Sequence, residues 1–112
     1  MNVAKGVLVI ISTAEKDKAL AGMMYAANAL KYKWLDDVRV FLFGPVEKLV
    51  TEDGDLQAAM AKIGEYQAPV ACKALSDRQG FSGALENMGY KVDYVGSMIS
   101  AHIDEGYVPM VF

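Results

Sequence analysis

The sequence predicts an α/β protein, a three-layer α/β/α single domain with a mainly parallel five-stranded sheet. Three observations predict it. Val7-Leu8-Val9-Ile10-Ile11 is an unbroken, mostly β-branched run, the pattern of a strand buried on both faces of a parallel sheet. Further along, short apolar runs alternate with stretches whose apolar residues recur every three or four positions, the order of consecutive βα units. Finally, 112 residues, 54% of them hydrophobic, fill one core and leave no room for a second.

Each element has its own signal. The first strand ends at Ser12-Thr13-Ala14-Glu15, where Ser12 and Glu15 have the spacing of a capping box. Leu20, Met23, Met24, Ala27, Leu30 and Trp34 then recur at helical intervals. Asp36-Asp37 breaks that pattern, Val38-Arg39-Val40-Phe41-Leu42-Phe43 reads as the second strand, and Gly44-Pro45 stops it. This βαβ unit should cross over right-handed. Residues 46–54 are charged and should hold a turn of helix behind Pro45, a residue suited to the first helical position. Leu56, Ala59, Met60 and Ile63 make a second amphipathic face, which Gly64 is placed to end. Pro69 introduces a short third strand, Val70-Ala71-Cys72, before a helical stretch to Gly80. Ser82 is placed to cap a helix through Ala84, Leu85 and Met88 that Gly89 closes, and Val92-Asp93-Tyr94-Val95 reads as strand four. Gly96-Ser97 opens a last helix with Ile99 and Ile103 on one face, ended by Gly106. Residues 107–112 form the fifth strand. Pro109 has no N–H to give a ladder, so this strand belongs at a sheet edge or a subunit contact.

Composition narrows the function. A net charge of −3 with dispersed lysines and arginines argues against a nucleic-acid partner. One cysteine makes no internal disulfide, and one cysteine with one histidine makes no zinc site of the usual ligand count. No metal and no cofactor is expected. The run Val7–Ile11 is too short for a signal-peptide core, and no stretch approaches the roughly 20 apolar residues that span a bilayer. The expectation is a soluble, cytoplasmic chain with no membrane partner.

In parallel sheets ligands gather beyond the carboxyl ends of the strands. The segments to search are therefore Ser12-Thr13, Gly44-Pro45, residues 72–78 and Gly96-Ser97. Cys72 closes the third strand just ahead of a helical stretch, where backbone N–H groups, Lys73 and Arg78 would stabilise a thiolate and make a nucleophile. Equally, it reads as a small apolar residue finishing a buried strand. The absence of Cys-x-x-Cys excludes a dithiol oxidoreductase. Ser12-Thr13 offers N–H groups to an anion at a helix start, but neither G-x-G-x-x-G nor a Walker pattern occurs, and a plain cap is the default. His102 lies mid-helix, about a turn and a half below Gly96-Ser97, and reads as a helix-flank or interface residue. Asp36-Asp37, Glu52-Asp53-Asp55 and Asp104-Glu105 read as caps or solvated loops. Met23, Met24, Tyr25 and Tyr66 read as core, and Met98, Tyr107 and the tail Met110-Val111-Phe112 as material for an oligomer contact.

The order of elements, the length, and a lone cysteine closing Pro69-Val70-Ala71-Cys72 ahead of a short helical stretch to Gly80 resemble the DsrE/DsrF-like family, small α/β proteins related to sulfur-relay subunits. The resemblance covers nearly the whole chain. It implies that Cys72 accepts sulfane sulfur as a persulfide and hands it to a partner protein, with Lys73 and Arg78 as electrostatic supports. It also implies assembly with itself as a homotrimer or homohexamer. Two other readings stay open, because fold does not fix function. One is a non-catalytic oligomeric binding or assembly module with Cys72 structural. The other is a small-molecule binder at the strand tips, through Ser12, Thr13, Gly96 and Ser97.

Overall fold

All five residues of β1, Val7–Ile11, are buried. The computed structural model, which describes residues 5–112, explains why: β1 is an inner strand with a parallel neighbour on each side and a packed layer on each face. The other elements are α1 (Lys16–Lys31), β2 (Val38–Leu42), α2 (Val46–Glu52), α3 (Gly54–Gly64), β3 (Val70–Cys72), α4 (Lys73–Gln79), α5 (Ser82–Asn87), β4 (Lys91–Asp93), α6 (Val95–Asp104) and β5 (Val108–Val111). The sheet runs β4-β3-β2-β1-β5 and every pairing is parallel. Val7 lies opposite Val38 on one side and Val108 on the other.

Strand order and crossover hand together distribute the helices. From β1 to β4 each step goes the same way, so right-handed crossovers put the intervening helices on one face. The last step returns from β4 across the whole sheet to β5, and the same hand puts α6 on the other face. The two cores follow this division. Val7, Val9, Ile11, Val40 and Leu42 face α1, α2, α3 and α5, meeting Met23, Val50, Leu56, Met60, Ile63 and Leu85. Leu8, Ile10, Phe41, Val70 and Cys72 face the opposite way and form a smaller cluster with Val95 of α6, walled by Leu75, Met98, Ile99 and Tyr107. The inner face of α1 is mostly small, Ala19, Gly22, Ala26 and Ala29 around Met23, so the helix lies close on the sheet. A Cβ on Gly22 would come within 2.8 Å of the Phe112 ring, which occupies that space. Among the described residues, no helix is long and apolar enough to cross a membrane.

Several local expectations are corrected. The Ser12/Glu15 capping box does not form: Glu15 is itself the N-cap of α1 and makes no side-chain cap bond, while Thr13 Oγ1 accepts its N–H at 3.0 Å. Trp34 lies outside α1, which ends at Lys31 because Lys33 turns to φ +53° and throws the indole into solvent against Tyr32. Strand two stops at Leu42, one residue early, and leaves Phe43 exposed. Strand four is Lys91–Asp93 and α6 starts at Val95, because Val95 turns inward to the smaller core instead of extending the strand. Ile103 sits on the exposed flank of α6. Gly64 is the last residue of α3 and not its stop, and Ser82 lies inside the first turn of α5 and not at its cap. The cap that does form is Asp53, whose Oδ1 accepts the N–H groups of Asp55 and Leu56. Its other oxygen meets Lys16 at 3.1 Å and so ties α3 to α1.

Gly44 marks a close approach of two strand ends. It has φ +140°, and a Cβ there would lie 2.4 Å from Ser12 Oγ and 2.8 Å from Ser12 O. Both the backbone conformation and the close approach of the two strand ends require glycine. We expect Gly44→Ala to destabilise the fold by about 3 kcal/mol in urea or guanidinium unfolding; a loss under about 1 kcal/mol would show that the β1 and β2 ends separate readily.

Candidate functional site

In an open parallel sheet the crevice forms where adjacent strands send their chains to opposite faces. That point is between β3 and β4. The chain after β3 continues through α4 and α5, with Leu85 of α5 in the larger core, whereas the chain after β4 enters α6 on the other face. Cys72 is the last residue of β3, the N-cap residue of α4, and the registered neighbour of Asp93 at the end of β4. A three-residue strand does this because Pro69 closes its entry and the α4 turn begins immediately at Lys73.

The surroundings of the sulfur are apolar. Cys72 is 5% exposed and its side chain packs among Leu8, Ile10, Phe41, Val70 and Val95. The cations next to it in sequence are directed elsewhere. Lys73 Nζ is held by Asp77 at 2.8 Å, one turn along α4, and this pairing chiefly raises the lysine pKa and lowers that of the aspartate. Asp77 in turn accepts from Ser82 Oγ at 2.5 Å, and Ser82 Oγ lies 2.6 Å from the buried Ser76 Oγ. This Lys73-Asp77-Ser82-Ser76 chain locks the corner between α4 and α5. Arg78 is exposed in the last turn of α4, away from the N-terminal end where Cys72 sits.

The other expected site residues are divided between two places. Gly96 and Ser97 fall in the exposed first turn of α6, beside Val95 and hence next to the Cys72 cluster. Ser12 and Thr13 lie at the end of β1, separated from β3 by β2 and so roughly 10 Å away at the usual strand spacing. Their N–H groups are already engaged, donating to the Phe112 carbonyl oxygen at 2.7 and 3.3 Å. His102 faces inward, its ring 4.8 Å from that of Tyr107 and edge-on to Phe41, so it is neither a flank residue nor near Cys72. Seven residues of helix put it about 10 Å down the axis from Val95. Tyr107 OH donates to Asp37, which also accepts from Arg39 Nε at 2.8 Å. These two bonds and the arginine charge outweigh burial and hold the Asp37 carboxyl below its ordinary range.

One group at the strand ends escaped the sequence reading. Glu47 has no exposed surface at all. It follows Gly44-Pro45 in the first turn of α2, and its carboxyl sits where β2 and β3 end. Oε1 accepts the Gly44 N–H at 3.4 Å, while Oε2 is buried with no hydrogen-bond partner among the described residues. Burial pushes its pKa up to about 7, against weaker downward pulls from the N–H groups of Gly44 and Cys72. The signal was present in the spacing: Val46, Glu47 and Val50 share one helical face, so an acid stands inside an apolar stripe. Beside it, a groove of about 350 Å³ separates α2 from α4, lined by Gly44, Pro45, Lys48 and Leu49 on one side and Leu75 and Gln79 on the other.

No protein-family model matches the chain, and no curated protein matches it. Among solved structures it is similar to a conserved protein of unknown function from Bacteroides thetaiotaomicron, at 22% identity and a TM-score of 0.83, over 99% of this chain and 100% of that one. At that identity the likeness shows the fold. The three-layer α/β/α architecture is thus shared across the full length of both chains.

Glu47 makes stability depend on pH with a defined sign. Its pKa rises from 4.5 in the unfolded chain to about 7 in the folded one, so between these values the unfolded chain has released a proton that the folded chain keeps. Stability therefore falls as pH rises through this window, by on the order of 3 kcal/mol. We expect Glu47→Gln to flatten the dependence of Tm on pH between 5 and 8 and to exceed the unmodified protein in stability at the upper end. Calorimetry checks this, and parallel curves would refute it.

Proposed function

We propose that this chain is a sulfur-carrier, sulfurtransferase-like protein in which Cys72 carries a persulfide. The observation that carries the reading is the place of the one thiol, on the last residue of β3 at the β3/β4 crevice, where a strand hands over to a helix. The resemblance to the DsrE/DsrF-like family supports it. In the reaction the Cys72 thiolate attacks the outer sulfur of a donor persulfide. A new S–S bond forms on Cys72, the donor S–S bond breaks, and the donor leaves as a thiolate. Attack by an acceptor thiolate on the outer sulfur of the Cys72 persulfide reverses the pattern. No metal or second cysteine takes part.

The same reading carries a cytoplasmic setting, where thiols stay reduced, and a donor or acceptor protein as partner. It also carries self-assembly into a homotrimer or homohexamer. The edge strand β5 supports that assembly, since Val108 and Val111, on opposite faces of this strand, are 48% and 65% exposed beside the open edge of the sheet. A second reading is an assembly or binding module in which Cys72 is packing. The 5% exposure of Cys72 in an apolar cluster favours it.

Mass spectrometry of the native protein after incubation with a persulfide donor separates the two. On the carrier reading we expect a gain of one sulfur atom, confined to Cys72 and absent in Cys72→Ser, that is lost on adding an acceptor thiol. An unchanged mass at every pH tried would leave the packing role.

A further inference from the structure

We propose that the outer face of α1 and α3 is a two-fold interface, covered by the same face of a second copy of this chain with the helices of the two copies antiparallel. This surface lies on the solvent side of the larger-core helices, apart from the edge strand β5 and from Cys72. The inference does not depend on the carrier reading.

The composition of α1 calls for a cover. Residues 19–30 hold no charged side chain. Ala19, Gly22, Met23, Ala26 and Ala29 account for the side that lies on the core. The opposite side is no more polar: Ala21 is exposed, and Met24, which its spacing assigns to the core, is 63% exposed. A helix packed along one side alone carries charge on the other, and one that is uncharged all round is a covered helix. Beside Met24 an apolar groove of about 270 Å³ runs between the two helices, lined by Leu20, Met23, Ala27 and Ala59. Past Asn28 and Lys62 it continues into a second hollow of about 290 Å³ that ends at Lys31, Glu65 and Tyr66. A protruding thioether and an apolar hollow on one face are what a self-complementary contact needs, because a two-fold sets each copy's knob against the other's hollow.

Charge decides the occupant and its direction. The uncharged stretch of α1 is bounded on this side by Asp17 in the first turn and Lys31 in the last. Fourteen positions, about four turns, separate them, so both project on the Met24 side. On α3, Asp55 and Lys62 bound a shorter uncharged stretch, residues 56–61, and stand about two turns apart. The midpoint of the first pair is Met24, that of the second falls between Ala58 and Ala59, and Ala59 lies beside Met24 in the groove. A two-fold axis at this level, across both helices, sets Asp17 against Lys31 of the second copy and Asp55 against Lys62 of the second copy at once. A partner of unrelated sequence has no reason to match both spacings. The same orientation opposes the helix dipoles of the two copies, which adds to the attraction. Among the described residues Asp17 and Lys31 have no ion-pair partner, while Lys16 holds Asp53 and Asp55. Lys18 points roughly a quarter-turn away from Asp17, and Glu65 accompanies Lys31 and Lys62 at the far end. The first end thus keeps an excess of acid and the far end an excess of lysine.

Sedimentation velocity of the full chain over a concentration series tests this. The unmodified protein should contain an even number of subunits. Met24→Glu, which sets two carboxylates on the axis, should halve that number while circular dichroism and thermal unfolding still report a folded chain. A monomer at every concentration, or an assembly that Met24→Glu leaves intact, would overturn the interface; a trimer insensitive to the change would place self-association at β5 alone. The charges give a check that does not rely on that variant. Lys31→Asp should weaken the association roughly tenfold, because the two-fold repeats each altered contact. Adding Asp17→Lys to it should restore the association, and a double variant as weak as Lys31→Asp would overturn the antiparallel interface. Persulfide formation on Cys72 is read separately, so either result stands or falls without the other.

Discussion

A parallel strand is reached from its predecessor only by a crossover, and the crossover has one hand. In this protein that constraint decides nearly everything else. Three steps in one direction load α1, α2, α3 and α5 onto one face of the sheet, and the single reversal after β4 puts α6 on the other, where Leu75 of α4 joins it. The unequal cores, the exposed edge at β5 and the position of the crevice are consequences of that reversal. Had β5 been added beyond β4, no adjacent strands would diverge and Cys72 would end an ordinary buried strand.

How far this was legible depends on the range of the forces involved. Local signals located the elements well: the run Val7–Ile11 announced a doubly buried strand, Pro109 an edge, and Val70-Ala71-Cys72 a strand three residues long. Strand order was not legible, because periodicity says which residues are buried and nothing about which strand they meet. The displaced boundaries share a cause in tertiary contact. Val95 has strand propensity, yet it gains more by turning into the smaller core as the first residue of α6. Ser12 and Ser82 have capping chemistry, yet Ser12 is pressed against Gly44 and Ser82 is bound to Ser76 and Asp77. Asp53 does cap, aided by a lysine 37 positions earlier in the chain that no local pattern could supply.

The candidate site was half legible for similar reasons. The place of Cys72 at a strand end followed from its neighbours in sequence. The fate of its charged neighbours did not, since Lys73 finds Asp77 one helical turn away before it can reach the thiol. The group that does sit against the Cys72 main chain, Glu47, comes from a different βα unit and approaches from the larger-core side. The thiol itself points to the smaller core. The carboxyl thus meets the backbone of the strand end and not the sulfur.

The pairing of β1 with β5 also shapes how the chain comes together. Val7 waits for Val108, so one edge of the most apolar strand stays open until the last strand has been made. Meanwhile β1 to β4 and their helices can assemble in the order of their synthesis, each strand beside the one before it. The chain as far as β4 therefore holds four of the five strands, without the element that covers the second face and without the neighbour that makes β1 an inner strand. The pairing of Val7 with Val108 is the longest-range strand contact of the sheet, of the kind that slows folding because loop closure precedes its reward.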